Sequence, residues 1–281
     1  MFNAASLALI LLAASGGAAA QTPSGAAPQA GQRGKDVMWM ATADPLVERM
    51  LTLAAVTDKD YVIDLGSGDG VMVIAAAKRG ARALGIEYDQ GLYEMSTRLA
   101  AEAGVAARTS FIRGDIFQSD LSAASVITMY LSPSVNLRLR PRLLALKPGT
   151  RIVSNSFELG EWRADDTAIA ISLKTLLAPL LGNGKDHCFF VCTAFLWIVP
   201  AKVEGRWKFD GGELVLRQNF QIVSGVLTAG GKSAPLTDVS LRGDAIRFTA
   251  DDAAYSGRVG AGRIDGSVRR RGVDSPWHAA R

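Results

Sequence analysis

The sequence predicts a doubly wound α/β domain followed by a small, C-terminal antiparallel β domain. A glycine-rich turn joins an apolar strand to an apolar helix within residues 61–78, and an acid ends the next strand about twenty residues later. After residue 201 the hydrophobic pattern changes to a period of two. The 281 residues, 48% of them hydrophobic, provide enough material for the two separate cores that this organisation requires.

The first predicted strand covers residues 61–65, a short and mostly apolar run typical of a buried parallel strand. Glycines follow because a backbone without Cβ atoms turns sharply and approaches a ligand closely. Residues 71–78 are apolar on nearly every side, which predicts a helix packed on the sheet, and Gly80 marks its end. The strand and the turn together read Asp64-x-Gly66-Ser67-Gly68-x-Gly70.

Glu87 stands at the end of the second predicted strand, residues 83–86. A carboxylate at this place accepts hydrogen bonds from the two hydroxyls of a ribose. The glycine spacing differs from the G-x-G-x-x-G of dinucleotide sites, and no lysine follows as in a phosphate-binding P-loop, which argues against a nucleoside triphosphate. The alternative is a strand–helix turn that holds no ligand, and the acid at this distance favours the ligand.

The acid–glycine turn resembles motif I of the class I S-adenosyl-L-methionine (SAM)-dependent methyltransferases, and Glu87 resembles their ribose-binding acid. The resemblance implies a Rossmann-like methyltransferase sheet and SAM as the cofactor. It also implies a set of cofactor-binding residues, namely Asp64, Gly66, Ser67, Gly68, Gly70 and Glu87.

Later segments extend this resemblance. Residues 90–104 show one apolar helical face, and residues 109–113 form the third predicted strand. The strand leads into Asp115 and Ile116, which are similar to the acidic loop of these enzymes, where the acid accepts a bond from the adenine amine and the apolar side chain packs on the ring. The alternative for Asp115 is an ordinary turn residue.

The fourth predicted strand, residues 125–131, ends in Tyr130. In the class I SAM-dependent methyltransferases that the chain resembles, the loop after this strand lies beside the transferred methyl group. Tyr130 is therefore expected to line the methyl-transfer channel. The alternative is a wall residue without a chemical role, and the sequence offers no evident general base. Residues 150–154 predict a further strand, and the apolar run 188–199 is interpreted as the edge strand of the sheet.

A narrower resemblance covers residues 36–163. It is to the family that includes the mitochondrial lysine methyltransferases acting on the c-ring protein of ATP synthase and on the adenine nucleotide translocase. This family implies N-methylation of a protein lysine, with a protein as the partner. Two departures are visible: Ala41 and Ala43 replace prolines, and Ser132 replaces a leucine. The matching segments are Asp36-Val37-Met38-Trp39, Thr42, Leu46-Val47-x-Arg49-Met50-Leu51, Tyr130-Leu131-x-Pro133-x-x-Asn136-Leu137-x-Leu139-Arg140-Pro141 and Lys147-Pro148-Gly149-Thr150-Arg151-Ile152-Val153-Ser154.

The N-terminus predicts a signal peptide over residues 1–20, because an uncharged apolar run ends in three small residues, Ala18-Ala19-Ala20. Export to the periplasm follows, with no membrane span in the mature form; the alternatives are an uncleaved membrane anchor and a disordered tail. Residues 21–35 are rich in Pro, Gly, Ala and Gln and are typical of a flexible linker. The methyltransferase domain is then expected over residues 36–202 and the antiparallel β domain over residues 203–281.

The net charge of +4 permits acidic partners without specifying them. The run Arg269-Arg270-Arg271 is interpreted as a solvated hairpin rather than a nucleic-acid contact. Cys188 and Cys192 with one nearby histidine fall short of a zinc site, so no metal is expected, and buried thiols are favoured over a disulfide.

In the β domain, six to eight short strands are expected between about residue 205 and residue 277, as a small barrel or sandwich. Its predicted core is Trp207, Leu214, Leu216, Phe220, Ile222, Ile246, Phe248 and Ile264. Two functions fit the whole chain. One is a SAM-dependent protein-lysine methyltransferase; the other is an exported binding protein with a catalytically silent α/β domain, which the predicted signal peptide motivates because SAM is made in the cytoplasm.

Overall fold

The computed structural model describes residues 36–170 and 193–281. The expected signal peptide (residues 1–20), the linker (residues 21–35) and both cysteines, Cys188 and Cys192, lie outside the described residues. The boundaries of the four expected segments therefore stay predictions. No helix among the described residues is long and apolar enough to cross a membrane.

The first sheet has seven strands in the order β3-β2-β1-β4-β5-β7-β6. Strands β1 to β5 pair in parallel, and β7 is antiparallel to both of its neighbours. Chain order reverses between β1 and β4, and this is the place where doubly wound sheets bind ligands. The strands are β1 (Tyr61–Leu65), β2 (Arg82–Glu87), β3 (Thr109–Arg113), β4 (Val126–Met129), β5 (Arg151–Asn155), β6 (Asp166–Ile169) and β7 (Thr193–Ile198).

In the described part of the chain, one α-helix precedes β1, and three further α-helices and one 3₁₀ turn, Ala106–Arg108, lie between the strands. Asp89 caps α3 by accepting from the Leu92 N–H at 2.9 Å. Ser132 caps α4, which explains why a hydroxyl residue precedes Pro133 at this position. The helices are α1 (Asp44–Leu53), α2 (Val71–Lys78), α3 (Gln90–Glu102) and α4 (Pro133–Leu143).

The interpretation of the apolar run 188–199 as the edge strand is wrong. Its described part forms β7, which pairs with β5 on one side and with β6 on the other. The short β6 takes the edge instead, and three of its four residues are exposed. A strand buried on both faces needs an apolar sequence, whereas an edge strand of four residues does not, and so β6 left little signal.

The expected antiparallel β domain contains nine strands rather than six to eight. Every connected pair is antiparallel, in the order β11-β10-β9-β8-β16-β15-β14-β13-β12, and the sheet curls until β10 and β12 approach each other. It is therefore a nearly closed barrel. Its strands are β8 (Gly205–Phe209), β9 (Gly212–Asn219), β10 (Ile222–Ala229), β11 (Lys232–Pro235), β12 (Thr237–Arg242), β13 (Ala245–Ala250), β14 (Ala253–Gly260), β15 (Arg263–Arg270) and β16 (Val273–Ala280).

Two of the eight predicted barrel-core residues lie elsewhere. Ile222 is 60% exposed, and Phe220 packs against the core of the first sheet. The reason is the tight β9–β10 turn, which pairs Leu227 with Leu214 and so turns Val223 and Leu227 inward. The other six are buried in the barrel as expected: Trp207, Leu214, Leu216, Ile246, Phe248 and Ile264.

The arginine run lies at the β15–β16 hairpin, as expected. Arg269 makes two hydrogen bonds to Asp274, at 2.9 and 2.7 Å. Arg270 and Arg271 both face Asp252, at 4.0 and 3.8 Å. Because acids on the same surface balance the run, it does not form a one-signed patch of the kind that binds phosphates.

Candidate functional site

A cavity of about 420 Å³ opens at the carboxyl ends of β1, β2 and β4, where the chain order reverses. It runs from the loop after β3 to the loop after β4. Eight of the nine residues singled out from the sequence line it: Asp64, Gly66, Ser67, Gly68, Glu87, Asp115, Ile116 and Tyr130.

The glycine turn forms the floor of this cavity. Gly66 and Gly68 have φ angles of 74° and 54°, in the left-handed region that side chains rarely adopt. A Cβ on Gly68 would lie 2.4 Å from Nε1 of Trp39, so the indole of Trp39 rests directly on the turn. Glycine is thus required here for both conformation and space.

Gly70, the ninth residue, does not line the cavity. It precedes α2 with a φ of 81°, and a Cβ there would lie about 3 Å from Ser96 and Phe111. Its role in the structure is to let the start of α2 lie close against Ser96 on α3 and Phe111 on β3, which is a different role from contacting a ligand.

Glu87 is buried at the end of β2, and its carboxylate is held by two backbone donors. Oε2 accepts from the Gly68 N–H at 2.8 Å, and Oε1 accepts from the Asp89 N–H at 2.9 Å. A carboxylate has about four acceptor positions, so each oxygen keeps capacity for a further donor. The bonds fix the orientation of the carboxylate and tie it to the glycine turn.

Asp64 is 6% exposed and accepts a bond of 2.6 Å from the Thr128 hydroxyl on the neighbouring strand β4. Burial raises the pKa of its carboxyl to about 7, although the bond from Thr128 acts in the opposite direction. The nearby carboxylates of Glu87 and Asp69 raise this pKa further. Three acids therefore converge beside the glycine turn, a site that favours a cation.

The loop after β3 makes the opposite end of the cavity. Asp115 Oδ1 accepts from the Phe117 N–H at 2.8 Å, as in an Asx turn. Asp115 is therefore a turn residue, as the alternative interpretation expected, and it also lines the cavity. Arg142 on α4 fastens the loop by donating to the Ile116 carbonyl at 2.7 Å and to the Ser119 carbonyl at 2.6 Å.

Tyr130 closes the end of the cavity at the loop after β4. Its ring stacks on Phe157, with centroids 6.4 Å apart and planes inclined by 23°, and its hydroxyl lies 3.9 Å from the Met40 sulfur. Burial raises the pKa of the Tyr130 phenol above its usual value, so the phenol stays protonated at neutral pH. Tyr130 therefore forms part of the cavity wall and presents a hydrogen-bond donor there.

Several lining residues were not assigned to the site from sequence. The segment of residues 36–42 crosses the cavity mouth, and Arg138 on α4 pairs with Asp36 at 3.5 Å. The only available signal was the family resemblance of this lead-in segment, since nothing in its composition indicates a ligand. These further residues include Trp39, Met40, Thr42, Asp69, Met72, Leu92, Phe117 and Met129.

Comparison with known proteins identifies this arrangement. A family model described as the ANTKMT methyltransferase domain matches residues 64–166. A protein-lysine N-methyltransferase of Saccharolobus islandicus is 40% identical over 129 residues, which are 45% of this chain and 80% of that protein. The chain belongs to this family of class I SAM-dependent methyltransferases.

Other relatives of the methyltransferase share shorter parts. A Caenorhabditis elegans lysine N-methyltransferase named for a subunit of ATP synthase is 32% identical over 43% of this chain and 66% of that protein. A mouse adenine nucleotide translocase lysine N-methyltransferase is 36% identical over 36% of this chain and 45% of that protein. The chain thus spans about half to two thirds of these animal relatives.

A solved structure extends the comparison. A crystal structure described as an RNA methyltransferase from Salinibacter ruber, in complex with S-adenosyl-L-homocysteine, is 41% identical, with a TM-score of 0.50. The match covers 58% of this chain and 96% of that one. It confirms the expected methyltransferase fold and SAM as the cofactor.

The residues of the methyltransferase fit SAM. The cofactor carries a positive sulfonium and an ammonium group, and three acids line this part of the cavity. The Ser67 hydroxyl is buried in the glycine turn without a hydrogen-bond partner among the described residues. Within the same residues, no cluster of histidine, cysteine and acidic side chains has the geometry of a metal site.

Proposed function

We propose that the protein transfers the methyl group of SAM to the side-chain amine of a protein lysine. The observation that carries the proposal is the end of the cavity at Tyr130, which is lined by neutral groups, namely the Tyr130 ring, itself stacked on Phe157, and the Met40 thioether. Such a wall strips water from an alkylammonium group and attracts it through the ring faces. The names of the relatives at 40%, 32% and 36% identity support a lysine acceptor.

In this proposal each lining residue has one task. Glu87 would accept bonds from the ribose hydroxyls, and Asp115 and Ile116 would frame the adenine. Asp64 with Gly66 and Gly68 would hold the charged methionine part. SAM supplies an already activated methyl group, so the residues of this chain mainly align the acceptor nitrogen and exclude water.

The acceptor amine must lose a proton before it attacks. Desolvation beside Tyr130 lowers the pKa of a lysine amine, because burial disfavours the charged form. The Tyr130 phenol has a raised pKa, is protonated at neutral pH and would act by position rather than as a base. The described residues that line the cavity include no histidine or lysine that could take the proton instead.

Methyl transfer from labelled SAM tests the proposal. The purified protein is incubated with labelled SAM and with extracts divided into protein and RNA fractions, and the modified residue is mapped by mass spectrometry. Label on lysine supports the proposal. Label on RNA, removed by ribonuclease, would replace the lysine acceptor by the one named for the Salinibacter ruber structure. Binding of SAM without transfer to either fraction would favour the alternative of a catalytically silent binding protein.

We also propose that residues 1–20 are removed on export. The support is the uncharged apolar run with its Ala-Ala-Ala ending at residues 18–20. The intact mass of the protein purified from its native cells should correspond to a chain that starts near Gln21. A native chain that still begins at Met1 would contradict cleavage.

A further inference from the structure

The loop that follows β5, residues 156–163, connects the cofactor cavity with the barrel. At its start, the ring of Phe157 stacks on Tyr130, which lines the cavity. The amide of Asn136, buried on α4, donates to the carbonyls of Phe157 and Glu158 at 3.2 and 3.4 Å. One side of this loop is therefore fastened to the helix that follows the Tyr130 strand.

The other side of the loop is held by the barrel. Phe220, at the tip of the β9–β10 hairpin, stacks on Trp162 with centroids 6.1 Å apart and planes inclined by 12°. Gln221 beside it donates from Nε2 to the Arg163 carbonyl at 2.7 Å. Trp162 is fully buried, and Phe220 packs against the core of the first sheet rather than against the barrel core.

One arginine contacts both the loop and the β9–β10 hairpin. Arg140 on α4 donates to the Leu159 carbonyl at 3.0 Å, and its guanidinium lies 5.6 Å from the centre of the Phe220 ring. Gly160 lets the loop pass against the helix, since a Cβ there would lie 2.6 Å from Leu137 and 3.1 Å from Arg140. The loop has little freedom between helix and hairpin, and its position depends on both.

We propose that Phe220 and Gln221 are positioning residues for methyl transfer. They hold the 156–163 loop so that Phe157 stays stacked on Tyr130 at the methyl end of the cavity. The barrel would thereby fix the position of Tyr130 in the wall against which the acceptor lies, while the cofactor is held by residues of the first domain alone. The proposal rests on the proposed function only in taking the Tyr130 end as the acceptor side.

The first test measures amide hydrogen exchange in the full chain. Phe220→Ala should speed exchange within residues 157–162 by about threefold or more, because the loop loses its contact on the barrel side. Phe220→Tyr keeps the ring and should restore protection. Ile222→Ala, an exposed side chain two residues away on the same hairpin, is the matched control and should have no effect. Unchanged exchange in the loop of Phe220→Ala would overturn the proposal, as would equal acceleration over the whole barrel.

Gln221→Glu provides a second variant that retains shape and replaces the donor to the Arg163 carbonyl by a negatively charged acceptor. It should also loosen the loop, to a smaller extent, while leaving barrel strands β13 to β15 protected. If Phe220→Ala fails to fold, this variant decides the matter. A loop as protected in Gln221→Glu as in the wild-type chain would then reject the positioning role.

The second test compares two ligands by calorimetry: S-adenosyl-L-homocysteine, and an adenosine analogue that carries an aminoalkyl arm in place of the methyl group. Phe220→Ala should leave the affinity for S-adenosyl-L-homocysteine unchanged. It should reduce the ratio of the two affinities, which measures the gain from the aminoalkyl arm, by about tenfold, the scale of one aromatic contact. Phe220→Tyr should recover it. An advantage that Phe220→Ala leaves unchanged would overturn the proposal. If the wild-type protein gains nothing from the arm, the lysine acceptor is wrong, and hydrogen exchange alone then decides whether Phe220 positions the loop.

Discussion

Asp64 is the residue at which binding and folding stability oppose each other. Its carboxylate is buried beside Glu87 and Asp69, and its pKa is raised to about 7. An unfolded aspartate titrates near 3.8. Between these values the folded chain keeps a proton that the unfolded chain releases, so the free energy of unfolding falls as the pH rises towards 7. A buried, costly carboxylate is typical of a site built for a cation.

Asp64→Asn should therefore stabilise the protein increasingly between about pH 4 and about pH 7, and fully above that, and it should weaken the binding of SAM. The amide oxygen still accepts from the Thr128 hydroxyl, so the bond at 2.6 Å has an equivalent in the variant. Thermal denaturation at about pH 5.5 and about pH 8.5 should show a gain in stability at both, larger at the higher pH. A variant that is less stable than the wild type at the higher pH would contradict the buried-charge argument.

The same carboxyl makes the affinity of the wild-type protein for SAM depend on pH. Below about pH 7 the cation must displace a proton from Asp64, so affinity should fall by up to about tenfold per pH unit. Titration calorimetry in buffers of different ionisation heat measures the released proton. Asp64→Asn should show a flatter profile, and an equally steep profile in the variant would assign the titration to another group.

Glu87→Ala should lower SAM affinity roughly tenfold or more, since a hydrogen bond to a charged group contributes about 1.5–3 kcal/mol. The variant also frees the N–H groups of Gly68 and Asp89, which shape the turn. Glu94→Ala, an exposed acid on α3, is the matched control for a loss of one negative charge. Equal affinities for the two variants, measured by calorimetry, would remove Glu87 from the site.

At the level of elements, the turn requires glycine for two reasons: its backbone conformation and the lack of space for a Cβ. A comparison of two substitutions separates these reasons. Gly68→Ala places a Cβ 2.4 Å from Trp39 Nε1 in addition to straining a φ of 54°. Gly104→Ala brings the same kind of strain, at a φ of 72°, with no atom within 4 Å of the new Cβ. Gly68→Ala should therefore lose SAM binding. Gly104→Ala should lose only about 1 kcal/mol of stability. Equal SAM affinity in both variants would show that the Trp39 contact is unimportant.

The elements around the cofactor were predictable because their chemistry is local. β1 is an apolar run, the turn is marked by glycines, and Glu87 follows at the end of the next strand, so a reader of the sequence finds all three. The resemblance also indicated the loop with Asp115 and Ile116. These signals depend on neighbours in the chain and not on distant packing.

Other features depend on contacts that no local pattern reveals. The β6 strand has four residues and an exposed pattern, so its edge position arises only from pairing with β7. The inward positions of β10 follow from the tight turn before it, which shifts the alternation by one residue. Trp39 reaches the glycine turn from a segment without regular structure. In each case tertiary pairing decides what the sequence pattern leaves open.

On the scale of the whole molecule, the cofactor cavity and the barrel are separate in sequence. Every described residue that lines the cavity lies between positions 36 and 138, and the family model ends at residue 166. The barrel begins at residue 205 and has a core of its own. Its contacts with the first domain include the β9–β10 hairpin and the region of Gly243, which lies against Gly149 and whose carbonyl accepts from the Ala201 N–H at 2.8 Å. The barrel is thus placed to affect the acceptor side while lying outside the cofactor site.

A chain that ends after residue 202 should consequently keep its affinity for SAM and lose methyl transfer. Cofactor affinity should persist because the truncation removes none of the described lining residues. Transfer should decline because Trp162, fully buried in the full chain, loses the Phe220 ring and the 156–163 loop is released. Calorimetry with SAM and transfer of labelled methyl groups, run beside the full chain, measure the two effects, and circular dichroism verifies that the truncated chain is folded. A soluble, folded truncation that no longer binds SAM would show that the two domains are energetically one unit. Undiminished transfer by the same truncation would show that the barrel does not assist the acceptor.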